Sequence, residues 1–176
     1  MRQQSSSAAA GCLVLAGAIL AAALARAQSP GEPVYAVTYI DISAAWILQG
    51  GGLLRDFRDK SRKETNNLEF TVVQEIARPN RFVIFEGWKD QAAFDAHAQS
   101  GNAYQFNFIL EAIRNAPPDR YMLRSFATAA ARSAAGALYM LEHIDFRGGD
   151  PAIVRAAEPL VKALADGSQK EAGAVR

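Results

Sequence analysis

The chain has 176 residues, of which 50% are hydrophobic and 21% charged, so it can form one domain with a packed core and some additional segments. Its formal net charge is +1, and it has no basic run interleaved with aromatic residues. This composition argues against a nucleic-acid partner.

The first 27 residues have the features of a secretory signal peptide. Arg2 precedes an apolar run over residues 8–24, and Ala25-Arg26-Ala27 forms a small-x-small cleavage site. The alternative is a membrane anchor, but the run is barely long enough to span a bilayer and consists mostly of Ala and Gly. We therefore expect cleavage after Ala27 and a periplasmic or secreted protein without stable membrane anchoring.

Cleavage at that site removes Cys12, which is the only cysteine. The mature chain would then have no disulfide, no thiolate metal site and no cysteine nucleophile.

A strand and a helix begin the predicted domain, which covers residues 34–127. Residues 34–42 are rich in β-branched and aromatic residues and predict the first strand. Leu53, Leu54 and Phe57 follow at helical spacing. The triplet Gly50–Gly52 weakens the first half of this helix by about 1 kcal/mol per glycine relative to alanine. We therefore expect a late start, a kink or a loop at these glycines.

Two further strands form a predicted hairpin. Residues 68–76 alternate, with Leu68, Phe70, Val72, Gln74 and Ile76 on the apolar face. Residues 82–88 form the returning strand after a turn centred on Pro79-Asn80.

A broken helix and a last strand complete the domain. Asp90 is a suitable N-cap for a helix that starts at Gln91 and breaks near residues 100–102. A second helical piece over about residues 103–114 places four apolar side chains on one face: Phe106, Ile109, Leu110 and Ile113. Residues 120–127 predict the final strand.

The order of these elements predicts an α+β, ferredoxin-like βαββαβ fold. Its antiparallel four-stranded sheet carries both helices on one face. The other face is apolar enough to need a cover, and such sheets commonly pair face to face. We therefore expect a homodimer or an intrachain pseudo-dimer.

The pseudo-dimer is suggested by a partial repeat. "LYMLEHIDF" (residues 138–146) resembles "VYAVTYIDI" (residues 34–42) at the register that aligns Asp145 with Asp41. A small-residue linker over residues 128–137 separates the two copies. Asp150 and Pro151 then start a helix with an apolar stripe that includes Ile153, Leu160 and Leu164. Residues 138–176 thus predict a truncated second copy consisting of a strand and a helix.

A single strand and helix cannot bury their own apolar stripe. The second copy must dock on the first domain, exchange with another chain or remain poorly ordered. Alternatively the chain is a fragment of a longer two-copy protein, which is the interpretation we favour.

The stretch "FVIFEGWKDQAAFDAH" (residues 82–97) contains the candidate site. Glu86 and Trp88 share one strand face, and His97 lies three residues after Phe94 on the buried side of the next helix. A carboxylate among apolar neighbours suits a proton acceptor, and an imidazole can hold or release a proton near neutral pH. The structural alternatives are a carboxylate paired with backbone or arginine, a core or interface tryptophan, and a core histidine bonded to backbone.

Three other side chains complete the candidate set. Tyr39 and Asp41 alternate onto one face of the first strand, and we expect them at the edge of the same pocket. His143 aligns with Tyr39 in the second copy and is interpreted as structural. His97 and His143 do not predict a metal site, because no carboxylate pair lies at ligand spacing.

These motifs resemble the antibiotic biosynthesis monooxygenase (ABM) family, and most closely its quinol monooxygenase branch. The shared pattern is a Glu-x-Trp strand end followed by a helix with Ala, Phe and His, here Glu86, Trp88, Phe94 and His97. The resemblance covers residues 34–127 and, truncated, residues 138–176. Oxygenase members with a described site often carry Asn four residues before the Trp, where this chain has Ile84, and some carry a helix Tyr near Phe94.

The resemblance implies a dimeric α/β barrel that oxidises small electron-rich aromatics such as quinols with O₂. It implies no cofactor, neither metal nor flavin, because the substrate anion supplies the electron. His97 and Glu86 would then be catalytic, and Trp88, Phe94, Tyr39 and Asp41 would bind the small aromatic substrate.

Two alternatives stay open. The domain is a non-catalytic module that binds a small ligand or supports assembly, or it binds or degrades haem with His97 as the iron ligand. The absence of an Asn on the first strand argues against haem.

Overall fold

The computed structural model describes residues 31–125, 137–144 and 151–172. The predicted signal peptide and residues 128–136 of the predicted linker lie outside these ranges. The strands are β1 (Val34–Asp41), β2 (Asn67–Gln74), β3 (Arg81–Trp88) and β4 (Asp119–Leu123). The α-helices are α1 (Ile47–Ser61), α2 (Gln91–Ala98), α3 (Gly101–Ile113) and α4 (Pro151–Ser168).

The four strands form one antiparallel sheet in the order β2-β3-β1-β4. The first strand, β1, therefore lies at the centre of the sheet, and the last strand, β4, lies at its edge. This is the arrangement of the ferredoxin-like βαββαβ fold. The predicted fold class is therefore confirmed for the first domain.

Helices α1, α2 and α3 cover one face of the sheet, which we call the helix face. The register pairs Val34 with Trp88, Ala36 with Glu86 and Ile40 with Phe82 on this face. The opposite face, which we call the outer face, carries the alternate residues of each strand. One outer-face pair is Tyr35 with Gly87, where the tyrosine ring occupies the space that a side chain at Gly87 would need.

The core lies between the helices and the helix face. Phe57 of α1 stacks on Phe106 of α3 with ring centroids 3.9 Å apart and meets Phe70 of β2 edge-on at 5.2 Å. Each buried side chain of this size stabilises the fold by about 1.5–3 kcal/mol relative to exposure. These rings form the rigid setting of the candidate site.

The helix expected to be interrupted at its glycines is continuous, so that expectation was wrong. Gly50 and Gly51 lie inside α1 and are buried. A β-carbon at Gly50 would lie 3.0 Å from the Ile42 side chain, which is itself fully buried. The glycine lets the helix approach the sheet closely, and this packing outweighs its low helix propensity.

Two strand ends also differ from the prediction. A register shift between Asn67 and Glu69 takes Leu68 out of the ladder, and Leu68 is 52% exposed. Ile76 lies beyond the end of β2 and is 84% exposed. The alternation of apolar residues did not reveal the bulge or the early end of the strand.

Side-chain N-caps begin both α2 and α3. The Asp90 carboxylate accepts a hydrogen bond from the Ala93 amide, and the Ser100 hydroxyl accepts one from the Ala103 amide. These caps separate α2 from α3 and confirm the predicted break.

Of the two elements predicted for the second copy, the helix forms and the strand does not, so the second copy itself stays a prediction. Residues 151–168 form α4, but residues 137–144 form no strand, contrary to the prediction for residues 138–146. Helix α4 has no buried residue, so its apolar stripe is exposed. None of the helices in the described ranges is long and apolar enough to span a membrane.

Candidate functional site

Glu86, Trp88 and His97 converge on the helix face. Strand alternation places the Glu86 carboxylate and the Trp88 indole on the same side of β3. Asp90 caps the start of α2, and His97 in the last turn of this helix packs on both groups. The exposed fractions of the three residues are 2%, 0% and 5%. The sequence-predicted convergence of these groups is therefore observed.

Aromatic rings enclose the imidazole of His97. The ring stacks on the Trp88 indole at 4.4 Å between centroids with an interplanar angle of 22°. Phe57 and Phe70 lie 5.5 and 5.7 Å away. Water has little access to such a site, so electrostatic interactions within it are strong.

A carboxylate stands at each nitrogen of His97. Nδ1 lies 2.9 Å from Glu64 Oε2, and Nε2 lies 3.6 Å from Glu86 Oε2. The Trp88 indole N–H donates to the same Glu86 oxygen at 2.9 Å. Because an ionised carboxylate only accepts hydrogen bonds, the Nδ1 nitrogen carries a hydrogen that it donates to Glu64.

The Nε2 nitrogen of His97 and the Glu86 carboxyl face each other inside the aromatic enclosure. If the Nε2 lone pair faced an ionised Glu86, the two would repel each other. A proton on either Nε2 or the Glu86 carboxyl removes that repulsion. Imidazole and carboxyl groups are the side chains that most often serve as general acids and bases, so the pair has the chemistry that a proton transfer needs.

Glu64 was missed by the sequence analysis. It follows α1 and is also held by Asn102, whose side-chain amide donates to Glu64 Oε1 at 3.3 Å and to the Ser61 hydroxyl at 3.0 Å. Its side chain is 23% exposed, whereas those of His97 and Glu86 are 5% and 3% exposed. Glu64 thus connects the buried pair to the protein surface.

Phe94 lies on the same side of the sheet, near strand β4. The guanidinium of Arg120 lies 5.9 Å from the Phe94 ring centroid, and Arg120 Nε donates to the buried Thr38 hydroxyl at 2.9 Å. All five residues of β4 are exposed. In the next row of the helix face, Met122 pairs with Ala36, which pairs with Glu86.

Tyr39 and Asp41 do not belong to this site. Tyr39 pairs with Val83 and Asp41 with Arg81, all on the outer face, whereas Glu86 and Trp88 point to the helix face. The expectation that they edge the same pocket was wrong, because the register of β1 with β3 puts Tyr39 and Asp41 on the face opposite Glu86 and Trp88. Asp41 instead lies 3.6 Å from Arg81, whose guanidinium stands over the Tyr39 ring.

A cavity of about 970 Å³ lies away from the Glu86–His97 pair, beside β2 and the outer face. Tyr39, Val73 and Val83 contribute to its wall, together with residues 137–139 and Leu141. Within the described ranges, no group of three or more His, Cys, Asp or Glu side chains is placed to hold a metal ion.

Comparison with solved structures supports the fold assignment. A Mycobacterium tuberculosis protein is 16% identical with a TM-score of 0.54, and the match covers 56% of this chain and all of that one. A Pseudomonas aeruginosa protein is 21% identical with a TM-score of 0.52, covering 57% of this chain and 100% of that chain. SnoaB, a cofactor-independent oxygenase from Streptomyces nogalater, is 14% identical with a TM-score of 0.50, covering 55% and 96%.

These matches cover only about half of the chain, so they do not confirm the predicted second copy. No curated protein sequence matches the chain. The family model described as antibiotic biosynthesis monooxygenase matches residues 33–107, which include Glu64, Glu86, Trp88 and His97. The family model therefore supports a resemblance to the antibiotic biosynthesis monooxygenase family over residues 33–107, and the solved structures show that the fold is shared.

Proposed function

We propose that the domain is a cofactor-independent monooxygenase that oxidises a small quinol or a related electron-rich aromatic with O₂. The observation that carries this proposal is the buried Glu86–His97 pair, enclosed by aromatic rings inside the segment that matches the family model. SnoaB, which has the same fold, is described as a cofactor-independent oxygenase.

The proposed reaction begins with a proton transfer. The Glu86–His97 pair takes the phenolic proton of the substrate, and the resulting anion passes one electron to O₂. The substrate radical and superoxide then join through a carbon–oxygen bond at a ring carbon that carries hydrogen. The peroxide takes up a proton and loses water, so one oxygen atom remains in the product as a carbonyl. The apolar enclosure limits side reactions with water.

We propose that the substrate reaches Glu86 from the β4 edge. Met122, at that edge, is 46% exposed, and only the small side chain of Ala36 separates it from Glu86 in the same row of the sheet. The Arg120 guanidinium above Phe94 would face the substrate anion at this opening. Trp88 and Phe94 would then form the aromatic wall of the binding site.

The second candidate is a non-catalytic role, and dense packing favours it. Trp88 is completely buried, and His97 is in contact with aromatic rings on several sides. In this alternative the polar groups serve as a satisfied network that stabilises the core, and the domain binds a ligand or a partner elsewhere. Haem ligation by His97 is disfavoured, because a carboxylate stands at each of its nitrogens.

We also propose that the protein works as a homodimer or an intrachain pseudo-dimer in the periplasm or outside the cell. The apolar outer face supports the dimer or pseudo-dimer, and the sequence of residues 1–27 supports the periplasmic or extracellular location.

Oxygen consumption with a reduced naphthoquinone such as menadiol tests the proposed activity. The wild-type protein should consume O₂ faster than the spontaneous oxidation of the quinol. Glu86→Gln keeps an acceptor for the Trp88 N–H but removes the base, so the rate should fall by about 100-fold, the usual contribution of a general base.

Asp95→Ala is the matched control, because Asp95 lies on the exposed side of α2. Its rate should equal that of the wild type. If the wild-type protein does not exceed the spontaneous rate, but the quinol still changes its tryptophan fluorescence, the non-catalytic alternative is correct.

A further inference from the structure

We propose that residues 137–144, which we call the strap, cover the outer face in cis and compete with a second copy of this chain for it. This inference is independent of the proposed reaction, because the outer face lies across the sheet from the Glu86–His97 pair.

The outer face is an apolar and aromatic surface. Tyr35 stacks on Phe85 with ring centroids 5.9 Å apart, and Tyr39 meets Tyr121 edge-on at 6.3 Å. At the β4 side, Tyr121 and Leu123 are still 44% and 39% exposed. A face of this composition is stabilised when another surface removes it from water.

The strap lies on this face through His143. His143 Nε2 and the Tyr39 hydroxyl form a hydrogen bond, which we call the clasp. The imidazole centroid is also 5.7 Å from the ring centroids of both Tyr39 and Tyr121. Tyr139 and Leu141 line the cavity between the strap and the sheet.

The side chains that the strap turns toward the outer face correspond to the outer-face side chains of β1. Its match to β1 aligns Tyr139, Leu141 and His143 with Tyr35, Val37 and Tyr39, which are all outer-face residues. Tyr139 and Leu141 are 41% and 45% exposed, whereas the intervening Leu138 and Met140 are 85% and 83% exposed. The strap therefore imitates the β1 strand of a second copy packed face to face.

This imitation identifies the competing occupant. A symmetric pair of copies would bring the outer face of one β1 against the outer face of the other, which is a self-complementary contact. The strap supplies one extended segment, whereas a second copy supplies a sheet of four strands.

The strap is also a loosely packed cover. In the described ranges it pairs with no strand, and part of it lines the cavity of about 970 Å³, which is partly open to solvent. Lost contacts of this kind weaken an interface, because dispersion falls quickly with distance. A second copy that filled the space would displace the strap.

Sedimentation equilibrium and hydrogen–deuterium exchange of the full chain test the inference together. His143→Ala removes the clasp, so exchange across residues 137–144 should accelerate and the dimer dissociation constant should fall by about fivefold, as expected for the loss of one hydrogen bond. Glu142→Ala, an exposed change in the same segment, should alter neither measurement.

A second variant identifies the face involved. Leu123→Lys places a charge on the exposed outer face, and combined with His143→Ala it should abolish the gain in association. The inference is overturned if His143→Ala leaves exchange in the strap unchanged, or frees the strap without strengthening association. A dimer that persists in the double variant also overturns it, because it must then use another surface.

Discussion

At the scale of single residues, the main result is that His97 lies between two carboxylates with different access to solvent. Glu86 faces the core, whereas Glu64 reaches the surface and is held by Asn102. We assign Glu64 the task of orienting the imidazole, because it fixes the hydrogen on Nδ1 and turns Nε2 toward Glu86.

Replacing Glu64 with Gln tests this assignment. The side chain keeps its shape, but the charge that stabilises the Nδ1–H bond is lost, and a hydrogen bond to a charged group contributes about 1.5–3 kcal/mol. We expect kcat to fall at least about tenfold with little change in KM. The ¹⁵N spectrum of labelled His97 should show a shift of the proton from Nδ1 toward Nε2. An unchanged spectrum would contradict the orienting role, whatever happens to the rate.

The sequence predicted part of this site for a physical reason. Glu86 and Trp88 share a strand face by alternation, and His97 follows after a short capped turn, so local geometry alone brings them together. Glu64 is 33 residues away from His97 and meets it only through tertiary packing. Tyr39 and Asp41 were misplaced because the side of the sheet to which β1 turns them depends on its register with β3, which neither strand reveals alone.

At the scale of secondary-structure elements, periodicity and capping predicted which elements form and in what order. They did not predict the effect of tertiary packing on α1, where three successive glycines are helical. Glycine is favoured at position 50 for a steric reason, because a β-carbon there would lie only 3.0 Å from the Ile42 side chain.

Alanine substitutions separate helix propensity from this packing. A β-carbon at Gly52 would meet nothing within 4 Å. Gly52→Ala should therefore raise the free energy of unfolding by up to about 1 kcal/mol. Gly50→Ala should instead lower it by about 1–3 kcal/mol, because the buried Ile42 side chain must shift to make room for the new β-carbon. Urea denaturation followed by circular dichroism measures both, and equal effects of the two changes would contradict the packing explanation.

At the scale of the whole molecule, the domain and the residues that follow it differ in how completely they are packed. Helices α1 to α3 bury their apolar sides on the sheet, whereas Ile153, Leu160 and Leu164 of α4 are 45%, 71% and 56% exposed. An amphipathic helix with an uncovered stripe is expected to gain stability from a partner surface. The truncated second copy stays a prediction, and within it the strap contacts the first domain through His143.

We propose that the whole molecule combines a buried proton acceptor with a separate surface for self-association. The central claim of this account is that the Glu86–His97 pair supports oxygen insertion into an aromatic substrate. Reaction of menadiol under ¹⁸O₂, followed by mass spectrometry of the product, measures this directly. The account predicts one ¹⁸O atom in the wild-type product and almost none with Glu86→Gln. An unlabelled product from the wild-type protein, or equal labelling by both proteins, would contradict it.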